Sequence, residues 1–232
     1  MSGTLYGIGV GPGDPELLTL KAHRLIGTAP VIAYPAPDSG DSFARGIVAA
    51  YIPPGVREIP IVIPMRAARF PAQQVYDDAA GDIAAALSAG QDVVVLCEGD
   101  PFFYGSFMYL FARLAGRFPA EIVPGVSSLG AVTAAARRPL IARDEVLTVL
   151  PATLPEADLE RQLAQANAAA VMKLGRHFDK ARAVLERLGL TGRAIFVAHA
   201  SLPNQTVCPL ADAPRTAPYF SMIVVPGKDA HV

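Results

Sequence analysis

The segment that most restricts the fold is Val93-Val94-Val95-Leu96-Cys97, opened by Gly90-Gln91-Asp92 and closed by Glu98-Gly99-Asp100-Pro101-Phe102-Phe103-Tyr104-Gly105. So short an unbroken apolar run, rich in valine, predicts a strand buried on both faces with a sharp turn at its carboxyl end. In open α/β sheets, ligands bind at such ends. Gly99 and Gly105 lack a Cβ and let backbone approach a ligand closely. Pro101 fixes the turn, and Phe102, Phe103 and Tyr104 can wall an apolar pocket.

The rest of the chain alternates in the same way. Leu5–Val10 predicts a strand and Gly11-Pro12-Gly13-Asp14-Pro15 a loop; Asp14 as N-cap, Pro15 and Glu16 then predict a helix to Ile26. The spacing fails as a dinucleotide fingerprint, because Pro12 and Asp14 stand where a third glycine belongs, and no Gly-Lys-Ser/Thr follows for a P-loop. Next come a strand over Pro30–Tyr34 closed by Pro35, a helix over Arg45–Ala50, a strand over Arg57–Ile63 and a helix over Gln73–Ser88. A helix over Tyr104–Ala115, a strand over Ala120–Val123 and a helix over Leu129–Ala136 follow. The Pro124-Gly125-Val126-Ser127-Ser128 turn before that last helix offers small hydroxyls either as helix caps or to a ligand's polar end.

Residues 1–138 therefore read as an N-terminal α/β domain and 139–145, where Pro139 stops a helix, as a linker. Residues 146–232 repeat the alternation, with strands over Val146–Leu150, Ala169–Leu174 and Ala194–Ala198 and helices over Pro155–Ala166 and Phe178–Leu188. Thr206–Pro209 and Tyr219–Val225 leave no room for a crossover helix, which implies antiparallel pairing at one edge of a mixed sheet. The expected fold class is α/β: two α/β domains with the active-site cleft between them.

Charge and cysteine usage exclude several functions. Lys plus Arg (20) and Asp plus Glu (21) nearly cancel, so no global field recruits nucleic acid or an anionic membrane. No apolar run reaches the length of a membrane span, and Met1-Ser2-Gly3-Thr4 leads into a strand without a basic or cleavable leader, which predicts a cytoplasmic address. Cys97 and Cys208 both sit in apolar runs and read as inert core thiols. The four histidines show no metal-ligand spacing, so no protein-bound metal is expected.

Taken in order, Gly9-Val10-Gly11-Pro12-Gly13-Asp14-Pro15, Glu98–Gly105 and Pro124–Ser128 resemble three loops of the tetrapyrrole methylases, over essentially the whole chain. Leu17–Ala22, Gly105–Leu110, Met172–Arg176 and Tyr219–Met222 are similar to members that methylate C20 of precorrin-2 in corrin-ring assembly. The resemblance implies S-adenosyl-L-methionine as cofactor, S-adenosyl-L-homocysteine as product, a tetrapyrrole as substrate and a homodimer. By position it implies cofactor contacts at Pro12, Gly99, Asp100, Phe103, Ser127, Ser128, Met172 and Ala200, the last standing where relatives often have glycine. A substrate ringed by carboxylates calls for cations, and Arg66, Arg69, Arg137, Arg138, Lys173 and Arg176 are the candidates. Glu98, Tyr104 and Tyr109, beside the central turn, are candidates for orienting the macrocycle or moving a proton. The alternatives are the same chemistry on a cobalt-containing substrate, methylation of another position or of RNA, and a non-catalytic cofactor or tetrapyrrole binder. The lack of a basic, aromatic-interleaved face argues against RNA.

Overall fold

A computed structural model of the chain describes residues 1–63 and 71–230, so Arg66 and Arg69 lie outside the described residues. The chain divides into two compact units, Met1–Ser127 and Ser128–Val232.

The first unit is built on five strands, β1 (Leu5–Gly9), β2 (Val31–Pro37), β3 (Arg57–Ile63), β4 (Val93–Cys97) and β5 (Ala120–Val123), all parallel in the order β3-β2-β4-β1-β5. All five residues of β4 are buried, as its composition predicts. Val93, Val95 and Cys97 join the core against α3 (Pro71–Ser88) and α4 (Phe107–Leu114), whereas Val94 and Leu96 join the core against α1 (Leu20–Ile26) and α2 (Phe43–Val48). The two faces follow from chain direction. The steps β1 to β2 and β2 to β3 move one way along the sheet and the steps β3 to β4 and β4 to β5 move the other way, so right-handed crossovers place the two helix pairs on opposite faces.

Several boundaries depart from the sequence reading. The helix expected from Pro15 to Ile26 is a single 3₁₀ turn, Pro15–Leu17, capped by Asp14 Oδ1 accepting from Glu16 N (2.9 Å). The α-helix restarts after extended Leu18, where Thr19 Oγ1 accepts from Ala22 N at 3.1 Å and acts as a second N-cap. β2 runs through Pro35 because its ladder with β4 stops at Ala33, leaving the proline paired on one side only. Tyr104 is not the first residue of α4: its φ of +58° is left-handed, and the helix begins at Phe107.

The second unit contains α5 (Ser128–Ala136), β6 (Leu147–Pro151), α6 (Glu156–Gln165), β7 (Ala168–Met172), α7 (Phe178–Arg187), β8 (Ile195–Ala198), β9 (Thr206–Pro209) and β10 (Ser221–Val225). Its sheet has the order β6-β7-β10-β8-β9, with β6 parallel to β7 and every other pair antiparallel. The sheet is mixed as expected, but β10 lies in its interior, between β7 and β8, and only β9 is an antiparallel edge. Nor does the division fall at residues 139–145. Val132 of α5 and Leu140 are buried in one cluster with Ala168, Ala170, Val197, Met222 and Val224, and Leu140 O accepts from Gly227 N at 2.9 Å, so α5 and the segment after it belong to this sheet. Cys97 is buried, and burial pushes its thiol far up; Cys208 is instead half-buried on edge strand β9, where a core position was expected. No helix among the described residues is long and apolar enough to cross a membrane.

Candidate active site

The topology of the first sheet makes a crevice. β1 and β4 are neighbours, yet the chain leaves β1 towards β2 and leaves β4 towards β5, in opposite directions, so their carboxyl ends open between the departing loops. The glycine turns meet there. Gly99 N donates to Gly11 O at 2.8 Å and Gly11 N donates back to Gly99 O at 3.3 Å, with both residues at positive φ, +63° and +80°. The third turn closes on the same point: a Cβ on Gly125 would stand 2.0 Å from Gly99 O, and one on Gly9 would stand 2.5 Å from both Gly99 O and Gly125 N.

These contacts refine the reason for the glycines. At Gly9, Gly125 and Gly105, what a side chain would strike is the protein's own backbone; at Gly105 it is Pro101 O, at 2.5 Å. The missing side chains let three turns fuse into one rim. Asp100 locks that rim. Its Oδ1 accepts from Phe102 N (2.9 Å) and Phe103 N (3.1 Å), and its Oδ2 accepts from Gly125 N (3.1 Å), so one carboxylate ties the turn after β4 to the turn after β5. The three turns, residues 9–15, 97–105 and 123–127, carry Asp14, Glu98 and Asp100 but no lysine or arginine. A small-residue rim free of cations suits a positively charged guest such as a sulfonium.

Around this rim, Pro12, Phe103, Ser127 and Ser128 are half-buried, with Phe103 edge-on to Tyr104 at 5.4 Å and Ser128 the first residue of α5. Tyr104 and Tyr109 are each 41% exposed; the first is held in its left-handed turn and the second lies on α4 with its ring 4.9 Å from that of Tyr76. Glu98 lies at the end of β4, where burial pushes its carboxyl above the ordinary value of 4.5. A carboxyl raised by folding contributes stability that is full below its unfolded value and lost as pH rises through its folded value. Glu98→Gln is therefore expected to leave Tm unchanged below about pH 4 and to raise it at neutral pH; a Tm difference independent of pH would contradict burial as the cause.

The second unit places its candidates at or just beyond the ends of β7, β8 and α5. Met172 and Ala200 are partly buried against the same cluster as α5. Lys173 and Arg176 are exposed just after β7, and Arg137 and Arg138 are exposed at the end of α5. Arg137 has φ +49°, with Arg137 N donating to Ala134 O and Arg138 N to Thr133 O, so both also serve as a helix terminus whose charge suits the dipole. Sequence reasoning passed over His199 and Ser201, which flank Ala200 at φ +52° and +68°. Polar residues there gave no motif; their signal is conformational.

A sequence model of the tetrapyrrole (corrin/porphyrin) methylases matches residues 4–214. The cobalamin biosynthesis protein CobIJ of Mycobacterium tuberculosis is 49% identical over 97% of this chain but 46% of its own, so the chain spans about half the length of that relative. The precorrin-2 C(20)-methyltransferase of a Sinorhizobium species is 42% identical over 97% of this chain and 96% of its own. The cobalt-precorrin-2 C(20)-methyltransferase of Salmonella typhimurium is 32% identical over 97% of each. Among solved structures, a cobalt precorrin-4 methyltransferase superimposes with a TM-score of 0.77 at 26% identity, covering 96% of this chain and 94% of that one. The uroporphyrin-III C-methyltransferase of Thermus thermophilus, complexed with S-adenosyl homocysteine, superimposes with a TM-score of 0.71 at 27% identity, covering 97% and 98%.

Proposed function

The chain belongs to the tetrapyrrole (corrin/porphyrin) methylases, and from that membership we propose that it transfers a methyl group from S-adenosyl-L-methionine to C20 of precorrin-2, giving precorrin-3A and S-adenosyl-L-homocysteine. The observation that carries this reading is the rim at Gly9, Gly11, Gly99 and Gly125, fastened by Asp100 and free of cations. Pro12, Gly99, Asp100, Phe103, Ser127 and Ser128 would hold the cofactor beside it, with Met172 and Ala200 as further contacts. The cofactor supplies an activated methyl on a sulfonium.

The residues need align that methyl with a nucleophilic carbon more than supply a strong acid or base. Positive charge disperses as the methyl moves, and orientation alone is worth up to about 7–11 kcal/mol. Glu98, Tyr104 and Tyr109 are assigned to orienting the macrocycle and taking up the proton that C20 loses once methylated. Arg66, Arg69, Arg137, Arg138, Lys173 and Arg176 are assigned to its carboxylates. The same reading carries a cytoplasmic homodimer.

The metal-free substrate is favoured because the relative bearing that name shares more sequence than the one named for the cobalt form. Purified protein incubated with S-adenosyl-L-methionine and precorrin-2 is expected to yield a product one methyl group heavier. Turnover of cobalt-precorrin-2 alone would replace the substrate; no S-adenosyl-L-homocysteine from either would leave a non-catalytic binder.

A further inference from the structure

The carboxyl edge of the second sheet concentrates strained backbone. β7 and β8 both run antiparallel to β10, so they leave the sheet at the same edge, two strand spacings or about 10 Å apart. Register places them level: Met172 and Val197 both face Met222, and Ala198 faces Ser221. The next residues are Lys173, at φ +57°, and His199, at φ +52°, with Ser201 at φ +68° shortly after. Left-handed backbone costs a non-glycine residue on the order of 1–3 kcal/mol and persists where the site needs it. Backbone bonds hold the turn at His199: His199 N donates to Phe220 O (2.8 Å), His199 O accepts from Leu202 N (3.0 Å), and Ser201 N donates to the Gln205 side chain (2.9 Å). Glycine would make the same backbone turns at His199 and Lys173 with less strain.

The side chains kept there share one chemistry. Residues 172–178, 198–206 and 218–221 include Lys173, Arg176, His177, His199 and Ser201 but no aspartate or glutamate, in a chain whose charges otherwise nearly cancel. Beside them lies an aromatic pair, Tyr219 and Phe220, edge-to-face at 5.0 Å, with Tyr219 72% exposed. A cationic, donor-rich edge beside exposed aromatic surface matches a ligand with carboxylate arms on an apolar body.

We propose that His199 and Lys173 form a carboxylate-binding pair at this edge that fixes one acid side arm of the tetrapyrrole substrate. The assignment rests on the tetrapyrrole reading above and adds His199 as a specificity residue. Two measurements separate the two claims: KM and kcat with precorrin-2, and equilibrium binding of uroporphyrin, a stable polycarboxylate tetrapyrrole, followed by its absorbance. His199→Gly and Lys173→Gly are each expected to raise Tm by about 2 °C through relief of strain. Each should raise KM about tenfold and weaken uroporphyrin binding to match, with S-adenosyl-L-methionine affinity unchanged. His199→Asn, which tolerates the left-handed turn and keeps an N–H donor, should restore most of the loss. Glycine variants with a higher Tm and wild-type KM and uroporphyrin affinity would overturn the pair, as would variants with a lower Tm and equal loss of every activity. Wild-type binding of uroporphyrin without turnover of precorrin-2 would instead sink the reaction and leave the pair standing.

Discussion

Gly125→Ala is expected to lower the stability of the first unit by about 3 kcal/mol, at the upper end of overpacking. The added methyl would stand 2.0 Å from Gly99 O and 2.8 Å from Gly9 Cα, against backbone that cannot swing aside as a flexible side chain can. Relief would require the turn after β5 to back away from the turn after β4, which would break the bond from Gly125 N to Asp100. At about 4 °C per kcal/mol for a unit of this size, the melting transition of the first unit in calorimetry should fall by about 12 °C. Gly130→Ala is the matched control. It lies in α5 with nothing within 4 Å of its would-be Cβ, so the same substitution should stabilise by about 0.5–1 kcal/mol through helix propensity. Equal effects at the two sites would contradict the rim geometry.

Asp100→Ala is expected to weaken S-adenosyl-L-methionine binding about 30-fold, equivalent to about 2 kcal/mol. The variant strands three backbone N–H groups, those of Phe102, Phe103 and Gly125, at once. Bonds to a charged acceptor are worth about 1.5–3 kcal/mol each, but water can reach the exposed Phe102 amide, and only part of the loss reaches the ligand. Asp100→Asn keeps acceptor capacity on one oxygen and should lie between wild type and Asp100→Ala. Titration calorimetry on folded variants gives the answer: affinity unchanged in Asp100→Ala would show that the three turns hold their places unaided.

What the sequence made legible was whatever depends on local chemistry. β3 and β9 have the expected limits, and β4 is buried on both faces, because β-branched runs bounded by Gly, Pro and Asp leave little choice. That the turns at Gly11 and Gly99 serve one site was implied by the family resemblance, which puts cofactor contacts at Pro12 and Gly99, although the reason for each glycine was not, since it depends on atoms far along the chain. The break at Leu18 escaped because Thr19 can be helix interior or cap, and only tertiary packing decides. The allegiance of α5 escaped too: Ser128–Ala136 is apolar all round and gives no sign of which sheet it will cover. Left-handed Tyr104, Lys173 and His199 had no signal, because each departs from its own residue preference. The bidentate pair from Arg45 to Glu58, at 2.6 and 2.9 Å, was equally silent, since it joins a helix to an edge strand thirteen residues on.

The interior place of β10 sets an order on biosynthesis. Residues 168–198 provide two strands that have no direct partnership with each other, and Ser221–Val225 is the piece that joins them. During synthesis the first lobe has every strand it needs once Val123 has emerged, so it is free to fold early, whereas the second must wait with β7 and β8 unjoined until Val225 leaves the ribosome. Nascent chains halted just before Ser221 should thus carry one protease-resistant lobe and one that is cut, with two open strand edges exposed to neighbouring chains in the interval.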